Sequence, residues 1–152
     1  QDFFGPTSGT VLLNALRPGE GGFEPPTDDS FLPATDRAFL PEGFDPIFQR
    51  YTQNNVFRRS PRSRAEVLGH PVELQGKPVK DFGYQIRQFD DLLKAHGLQS
   101  SLRVVDEKLS PATIRDEFVR NMKTRDDYVV VNYKRSALGQ EGGGRISPLG
   151  AL

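Results

Sequence analysis

Hydrophobic residues recur at the spacing of an α-helix in three segments of the chain, residues 7–16, 81–97 and 110–123. In each segment the apolar positions lie three or four residues apart, so they share one face of the predicted helix. The pattern is strongest in the second segment. The positions expected to face a core are Val11, Leu12, Ala15 and Leu16 in the first helix, Phe82, Ile86, Phe89, Leu92, Leu93 and His96 in the second, and Ile114, Phe118, Val119 and Met122 in the third.

Residues typical of helix ends flank these segments. Pro6 suits the first turn of the first helix, and Ser110 followed by Pro111 is an N-cap and first-turn pair for the third. For the second helix, Asp81 is the expected cap and Gly97 the expected stop. His96, in the last turn of that helix, is expected to pack or to contact the helix end rather than to perform chemistry.

The last third of the chain contains the predicted strands. Residues 126–135, "DDYVVVNYKR", are apolar at their centre and rich in β-branched side chains, which predicts a buried central strand. Residues 101–106, "SLRVVD", predict a short strand before it, and the glycine-rich stretch after Gly139 turns into another. Helices followed by strands indicate the α+β class.

Two segments are expected to be irregular. Residues 17–45 hold many glycines and prolines and predict a long ordered loop that is anchored by Phe23, Phe31, Phe39 and Phe44. After it, residues 45–57 predict one or two short helices capped by Asp45. The basic run "RRSPRSR" at residues 58–64 could bind phosphate, but no aromatic residue interleaves with its arginines, so a solvated loop is favoured.

Composition narrows the possible chemistry. The 152 residues fit one domain, and 20 basic and 20 acidic side chains cancel, which gives no reason to expect nucleic acid or an anionic membrane as partner. The absence of an apolar run long enough to span a bilayer predicts a soluble protein. The chain has no cysteine and only two histidines, His70 and His96, so thiol chemistry and a resident metal are not expected.

Three stretches resemble one family. "FFGPTSGTVLLNAL" at residues 3–16, "RYTQNNVF" at 50–57 and "DDYVVVNYKRSALGQEGGGRISPL" at 126–149 are similar to bacterial phytochelatin synthase-like proteins, relatives of the plant glutathione γ-glutamylcysteinyltransferases. The helix "QIRQFDDLLKAHGLQ" falls between them in the expected place, so the resemblance runs along nearly the whole chain.

The resemblance implies a papain-like fold with an N-terminal helical part followed by antiparallel strands. In the family a cysteine at the start of the first helix attacks the glycine-side carbonyl of glutathione, and a histidine and an aspartate complete the triad. The γ-glutamylcysteinyl group then passes to another glutathione or to water. Such chemistry needs a thiolate stabilised by the helix N-terminus and an imidazolium, with donors for the oxyanion.

Both catalytic blocks differ from the family at the reactive position. The family's Phe-Cys-Gly block falls on residues 3–5, which puts Phe4 at the nucleophile position, and its histidine falls on Arg145. Phenylalanine cannot attack a carbonyl, and arginine stays protonated at physiological pH, so it cannot act as a base. The family's aspartate and oxyanion-hole glutamine would fall beyond the two ends. The resemblance therefore implies a single domain over residues 1–152, incomplete at both ends and catalytically inactive as written.

Alternatives remain open at this stage. The cleft could bind glutathione or a γ-glutamyl peptide without catalysis, with Arg145 attracting a carboxylate; alternatively, the chain is a non-functional fragment. Cadmium or zinc would then arrive only as glutathione thiolates, as the resemblance to metal-detoxifying enzymes implies. Compartment (bacterial cytoplasm or periplasm) and oligomeric state are left open. The residues expected at the substrate cleft are Gly5, Asn132, Tyr133, Arg135 and Ser147.

Overall fold

The computed structural model describes residues 3–16, 25–28, 33–43 and 48–150, and these form a mixed arrangement of helices and antiparallel strands. The α+β class predicted from the sequence is confirmed. In chain order the elements are α1 (Phe4–Leu16), β1 (Thr27–Asp28), α2 (Ala34–Arg37), β2 (Phe48–Gln49), a 3₁₀ helix (Val56–Arg59), α3 (Arg64–Val67), β3 (Val72–Leu74), β4 (Lys77–Val79), α4 (Ile86–Ala95), α5 (Pro111–Lys123), β5 (Val130–Lys134), a second 3₁₀ helix (Arg135–Leu138) and β6 (Gly144–Pro148).

The described strands pair two by two, β1 with β2, β3 with β4 and β5 with β6, and every pair is antiparallel. In the longest pair Asn132 lies opposite Ile146 and Tyr133 lies opposite Arg145. Because directly opposed residues share a face of an antiparallel pair, Asn132 and Ile146 lie on one face and Tyr133 and Arg145 on the other.

The core forms where α1, α4 and β6 meet. Side chains from these elements and from the segment around the first 3₁₀ helix are almost completely buried together: Leu12, Leu13, Tyr51, Val56, Phe89, Leu92, Leu93 and Ile146. Two polar links hold α1 in this core. The buried Ser8 hydroxyl donates to the Ile146 carbonyl at 2.9 Å, and the Asn14 amide both donates to and accepts from the Tyr51 backbone at 2.9 Å.

The three predicted helices are present, with differences at their ends and in the buried face of the first: Leu12 is buried as expected, but Val11 and Ala15 are exposed and Leu13 is buried instead. α1 begins at Phe4, earlier than predicted. α4 begins at Ile86, so Asp81 is not its cap; instead the Gln88 side chain accepts the Gln85 N–H at 2.8 Å. α5 begins as predicted, because Ser110 accepts the N–H of the third helical residue at 3.1 Å and Pro111 is the first helical residue. Its apolar stripe is half-buried rather than buried.

Two strand predictions need correction. Residues 101–106 form no strand, and Val104 and Val105 are more than half exposed, because no neighbouring chain segment pairs with them in the described part of the protein. β-branched side chains favour a strand only when a partner strand supplies the backbone hydrogen bonds. β5 is present within residues 126–135, but among the described residues it pairs with β6 alone, so it is not central.

The predicted loop anchors and short helices are only partly described. Phe39 is 88% exposed and therefore anchors nothing, whereas Phe23, Phe31, Phe44 and Asp45 lie outside the described residues. Of the helices expected within residues 45–57, the structure has the first 3₁₀ helix, which starts at Val56.

The β3–β4 hairpin was not predicted. Its two-residue turn consists of Gln75 at φ 51° and Gly76 at φ 74° between the paired Leu74 and Lys77. Two consecutive positive φ angles give a turn whose twist matches that of the strands.

Candidate functional site

The two phenylalanines at the start of α1 point to different surroundings. The Phe3 ring packs edge-on against Phe57, with centroids 6.1 Å apart, and the Arg64 guanidinium lies 5.5 Å from its centroid. Phe4 instead lines a cleft. Phe3 therefore fastens the helix start to the chain around the first 3₁₀ helix, and Phe4 occupies the position that faces a possible ligand.

Arg145 meets Phe4 in space, although 141 positions separate them along the chain. The guanidinium carbon of Arg145 lies 4.9 Å from the Phe4 ring centroid, in cation–π contact. The nitrogen Nε of Arg145 is buried and has no hydrogen-bond partner within the described part of the chain. The two positions that the resemblance assigns to the nucleophile and the base thus lie side by side.

A cleft of about 280 Å³ opens beside Phe4, and Arg145 is not among its lining residues. Three separate parts of the chain line it: the start of α1, residues 82–85, and the β5–β6 hairpin. The lining residues are Phe4, Gly5, Phe82, Gly83, Tyr84, Gln85, Asn132, Gly143, Gly144 and Ile146. None of these ten residues is acidic or basic, and the N-terminal end of α1 carries the positive end of the helix dipole. The lining is therefore uncharged apart from the positive end of this dipole.

The structure brings together only part of the predicted substrate-binding set. Gly5 and Asn132 line the cleft, whereas Tyr133, Arg135 and Ser147 do not. Tyr133 lies on the other face of the β5–β6 hairpin, beside Arg145. Ser147 donates to the next residue's carbonyl at 3.4 Å, and the buried Nε of Arg135 has no described hydrogen-bond partner.

Three hydroxyl side chains near the helix start are engaged in structural hydrogen bonds. Thr7 accepts from the Gln53 amide at 2.5 Å, Ser8 donates to the Ile146 carbonyl, and Thr10 donates to the Thr7 carbonyl at 2.8 Å. None of the three lines the cleft. This agrees with packing and capping roles rather than with that of a substitute nucleophile.

Sequence patterns missed the wall that residues 82–85 contribute. Tyr84 packs against the helix start so closely that a Cβ on Gly5 would lie 2.6 Å from the Tyr84 Cβ. The Tyr84 hydroxyl is 2.5 Å from the Ser60 hydroxyl, and burial raises the pKa of Tyr84 despite that hydrogen bond. The only local signal was the apolar periodicity that placed Phe82 within α4, whereas Phe82 lies before that helix and is more than half exposed.

The histidines lie outside the lining of the cleft. His96 is 1% exposed, its Nδ1 is 2.9 Å from the Leu92 carbonyl, and the ring packs edge-on against Tyr51. Burial lowers the pKa of His96, and the nearby positive charge of Arg59 lowers it further, while the hydrogen bond to Leu92 opposes the shift. The prediction that His96 packs at the helix end is confirmed.

No group of three or more histidine and acidic side chains among the described residues is arranged to hold a metal ion. The helices in the described ranges are all too short or too polar to cross a bilayer.

Comparison with known proteins adds one family. The family model described as Phytochelatin synthase matches residues 43–152. The matched part includes α4, β5 and β6 with Arg145, and leaves α1 with Phe4 outside. No curated protein matches the chain. In the folded chain α1 packs on β6 within the matched part, through the Ser8 hydrogen bond and the contact of Phe4 with Arg145.

Proposed function

Because this chain belongs to the phytochelatin synthase family, we propose that it binds glutathione or a related γ-glutamyl peptide in the cleft beside Phe4 without catalysing the family's acyl transfer. The observation that carries the proposal is the contact between Phe4 and Arg145, with the guanidinium carbon 4.9 Å from the ring centroid. The family reaction needs a thiol and an imidazole at such a pair of positions. Here the pair is a hydrocarbon ring and a fixed cation.

The substitutions remove both functions of the pair. The Phe4 ring has no lone pair with which to attack a carbonyl, and a guanidinium cannot take a proton from a nucleophile. No cysteine elsewhere in the 152 residues could take over the first role. Loss of members of such a catalytic unit typically lowers the rate by about 10⁴ to 10⁶.

Binding of an anionic peptide has separate support. Glutathione carries two carboxylates and one ammonium group at neutral pH, so a cleft without acidic side chains suits it. Arg145 presents a guanidinium that no described carboxylate neutralises, and its buried Nε lacks a hydrogen-bond partner among the described residues. A ligand carboxylate that reaches past the Phe4 ring to this guanidinium would neutralise it and supply the missing acceptor, since guanidinium groups bind carboxylates through paired hydrogen bonds. The Asn132 side chain and the glycines at 143 and 144 add amide groups at the same cleft.

In this proposal a metal ion reaches the protein only when the bound peptide carries it. Cadmium or zinc held by glutathione thiolates would reach the cleft as part of the peptide complex.

The proposal predicts that Arg145→Gln weakens glutathione binding about tenfold, because a charge-assisted contact to a carboxylate is lost. Isothermal titration calorimetry of glutathione into the purified chain measures this directly. The matched control is Arg120→Gln on α5, which removes the same charge from an exposed position away from the cleft lining, and it should leave the dissociation constant unchanged. Equal affinity in the Arg145→Gln variant and the unaltered chain would contradict the assigned role of Arg145.

A further inference from the structure

Arg62 is the most deeply buried charged side chain described, with the residue 8% exposed. It belongs to the basic run at residues 58–64, for which a solvated loop was expected. Its guanidinium points inward and contacts the segment that precedes α4. A buried guanidinium is costly unless hydrogen bonds replace its hydration, so each of its partners matters energetically.

The partners of Arg62 lie on both sides of Phe82. Nη1 donates to the Gly83 carbonyl, and Nη2 donates to the Asp81 carbonyl at 2.6 Å. The Asp81 carboxylate is 3.6 Å from Nη1, and Gln88 at the start of α4 accepts from Nη1 at 3.0 Å. One guanidinium therefore binds two carbonyl groups that lie two residues apart and the start of the helix that follows.

Arg62 also reaches the next residue of the cleft wall. Its guanidinium carbon lies 5.7 Å from the Tyr84 ring centroid, and its backbone N–H donates to Ser60, whose hydroxyl contacts the Tyr84 hydroxyl. On the other side of the wall, the Gly83 N–H donates to the Val67 carbonyl at 3.0 Å. Contacts with Arg62, Ser60 and Val67 therefore hold Phe82, Gly83 and Tyr84, which also line the cleft.

We propose that Arg62 is a positioning residue that sets the wall formed by residues 82–85, and thereby the width of the cleft opposite Phe4. The wall has no strand or helix of its own, so its backbone geometry depends on the hydrogen bonds from the Arg62 side chain and on the backbone bond from Gly83 to Val67. The planar fork serves the carbonyls of residues 81 and 83 from two separate nitrogens, whereas a lysine at this position keeps the charge but offers a single nitrogen. The proposed ligand rests on the function proposed above, whereas the geometry of the wall does not.

The test uses Arg62→Lys, with Arg58→Lys as the matched control on the same basic run, since Arg58 is exposed. In glutathione titrations Arg62→Lys should raise the dissociation constant by about tenfold, because misplacing a binding wall is costly. Arg58→Lys should leave it within about twofold. Circular dichroism at the titration temperature establishes that each variant is folded.

A second readout needs no ligand. The Phe4→Cys substitution is introduced into the unaltered chain and into the Arg62→Lys variant. The rate at which iodoacetamide alkylates the new thiol then reports how accessible position 4 is from the cleft. The double variant Phe4→Cys with Arg62→Lys should react several-fold faster than Phe4→Cys alone, whereas adding Arg58→Lys should change nothing. A purely structural role would lower the melting temperature and leave both readouts unchanged in the folded protein.

The outcomes separate the two proposals. If the unaltered chain binds no glutathione, the proposed function is wrong. The alkylation rates alone then decide whether Arg62 positions the wall. Unchanged affinity and unchanged alkylation in a folded Arg62→Lys variant would overturn the positioning role. Should Arg62→Lys fail to fold, Asp81→Asn replaces it in both assays: it removes the ion-pair partner but keeps the carbonyl contact, and a loss of affinity or faster alkylation supports the proposal, whereas unchanged values overturn it.

Discussion

The neighbouring Phe3 and Phe4 show how two identical residues acquire different roles. Phe3 packs on Phe57 and below Arg64, which is a structural contact, whereas Phe4 faces the cleft and Arg145. The helical pattern alone could not separate them, since both precede the first predicted apolar face. The resemblance to a family separated them before the structure did, because it assigned a reactive role to one position only.

The role of Arg62, in contrast, could not be predicted from the sequence. The sequence predicted the whole basic run to be solvated, yet Arg62 turns inward while Arg64 bonds to Asn54 at 2.6 Å and lies against Phe3. Nothing within the run distinguishes one arginine from the next. The partners of Arg62 that decide its burial lie about 20 residues further along the chain.

His96 makes stability depend on pH. Burial lowers its pKa below the usual value of 6.5, so the folded chain binds fewer protons at this site than the unfolded chain when the pH falls below about 6.5. The stability that neutral His96 contributes is therefore present above that pH and is lost as the pH falls towards the lowered pKa. Within this window the unfolding equilibrium constant should rise by at most about tenfold for each unit by which the pH falls.

Urea unfolding at several pH values measures this effect. The pH values run from about 7.5 to about 5, which roughly spans the titration range of histidine. His96→Gln should flatten the dependence, and His70→Gln, at an exposed histidine, should leave it intact. An unchanged slope in the His96→Gln variant would show that other groups carry the pH dependence.

At the scale of elements, helices with a strong one-sided pattern were predicted well and strands less so. α4 and α5 follow from local periodicity, and the Ser110–Pro111 start of α5 follows from local capping chemistry. The strand expected at residues 101–106 is absent because pairing partners are a non-local property. The β3–β4 hairpin escaped prediction because its turn is Gln-Gly, a weaker signal than Asn-Gly, and its strands are only three residues long and mostly exposed.

Contact between α1 and the cleft wall leads to a prediction for Gly5. Gly5→Ala should lower the free energy of unfolding by about 1–3 kcal/mol, because the new methyl group would lie 2.6 Å from the Tyr84 Cβ, which cannot rotate away. Chemical denaturation measures the change. Gly143→Ala is the matched control in the same cleft, because nothing lies within 4 Å of an added Cβ there. Equal stability of Gly5→Ala and the unaltered chain would mean that the two segments separate easily.

At the scale of the whole molecule, the cleft is assembled from three segments far apart in sequence. Two of them, the start of α1 and the β5–β6 hairpin, were anticipated through Phe4, Gly5 and Asn132. The wall at residues 82–85 was not, because it has no secondary structure and owes its shape to the buried Arg62. The papain-like fold and the inactivity inferred from the resemblance stay predictions, while membership of the family is established by the match over residues 43–152.

The central claim is that the family's cleft persists here as a binding site without its chemistry. The most direct measurement titrates glutathione into the purified chain while heat and released glycine are recorded on the same samples. We expect saturable heat, with free glycine no higher than in a buffer control. Release of glycine in proportion to protein concentration would contradict the loss of catalysis, and the absence of any binding heat would contradict the binding function.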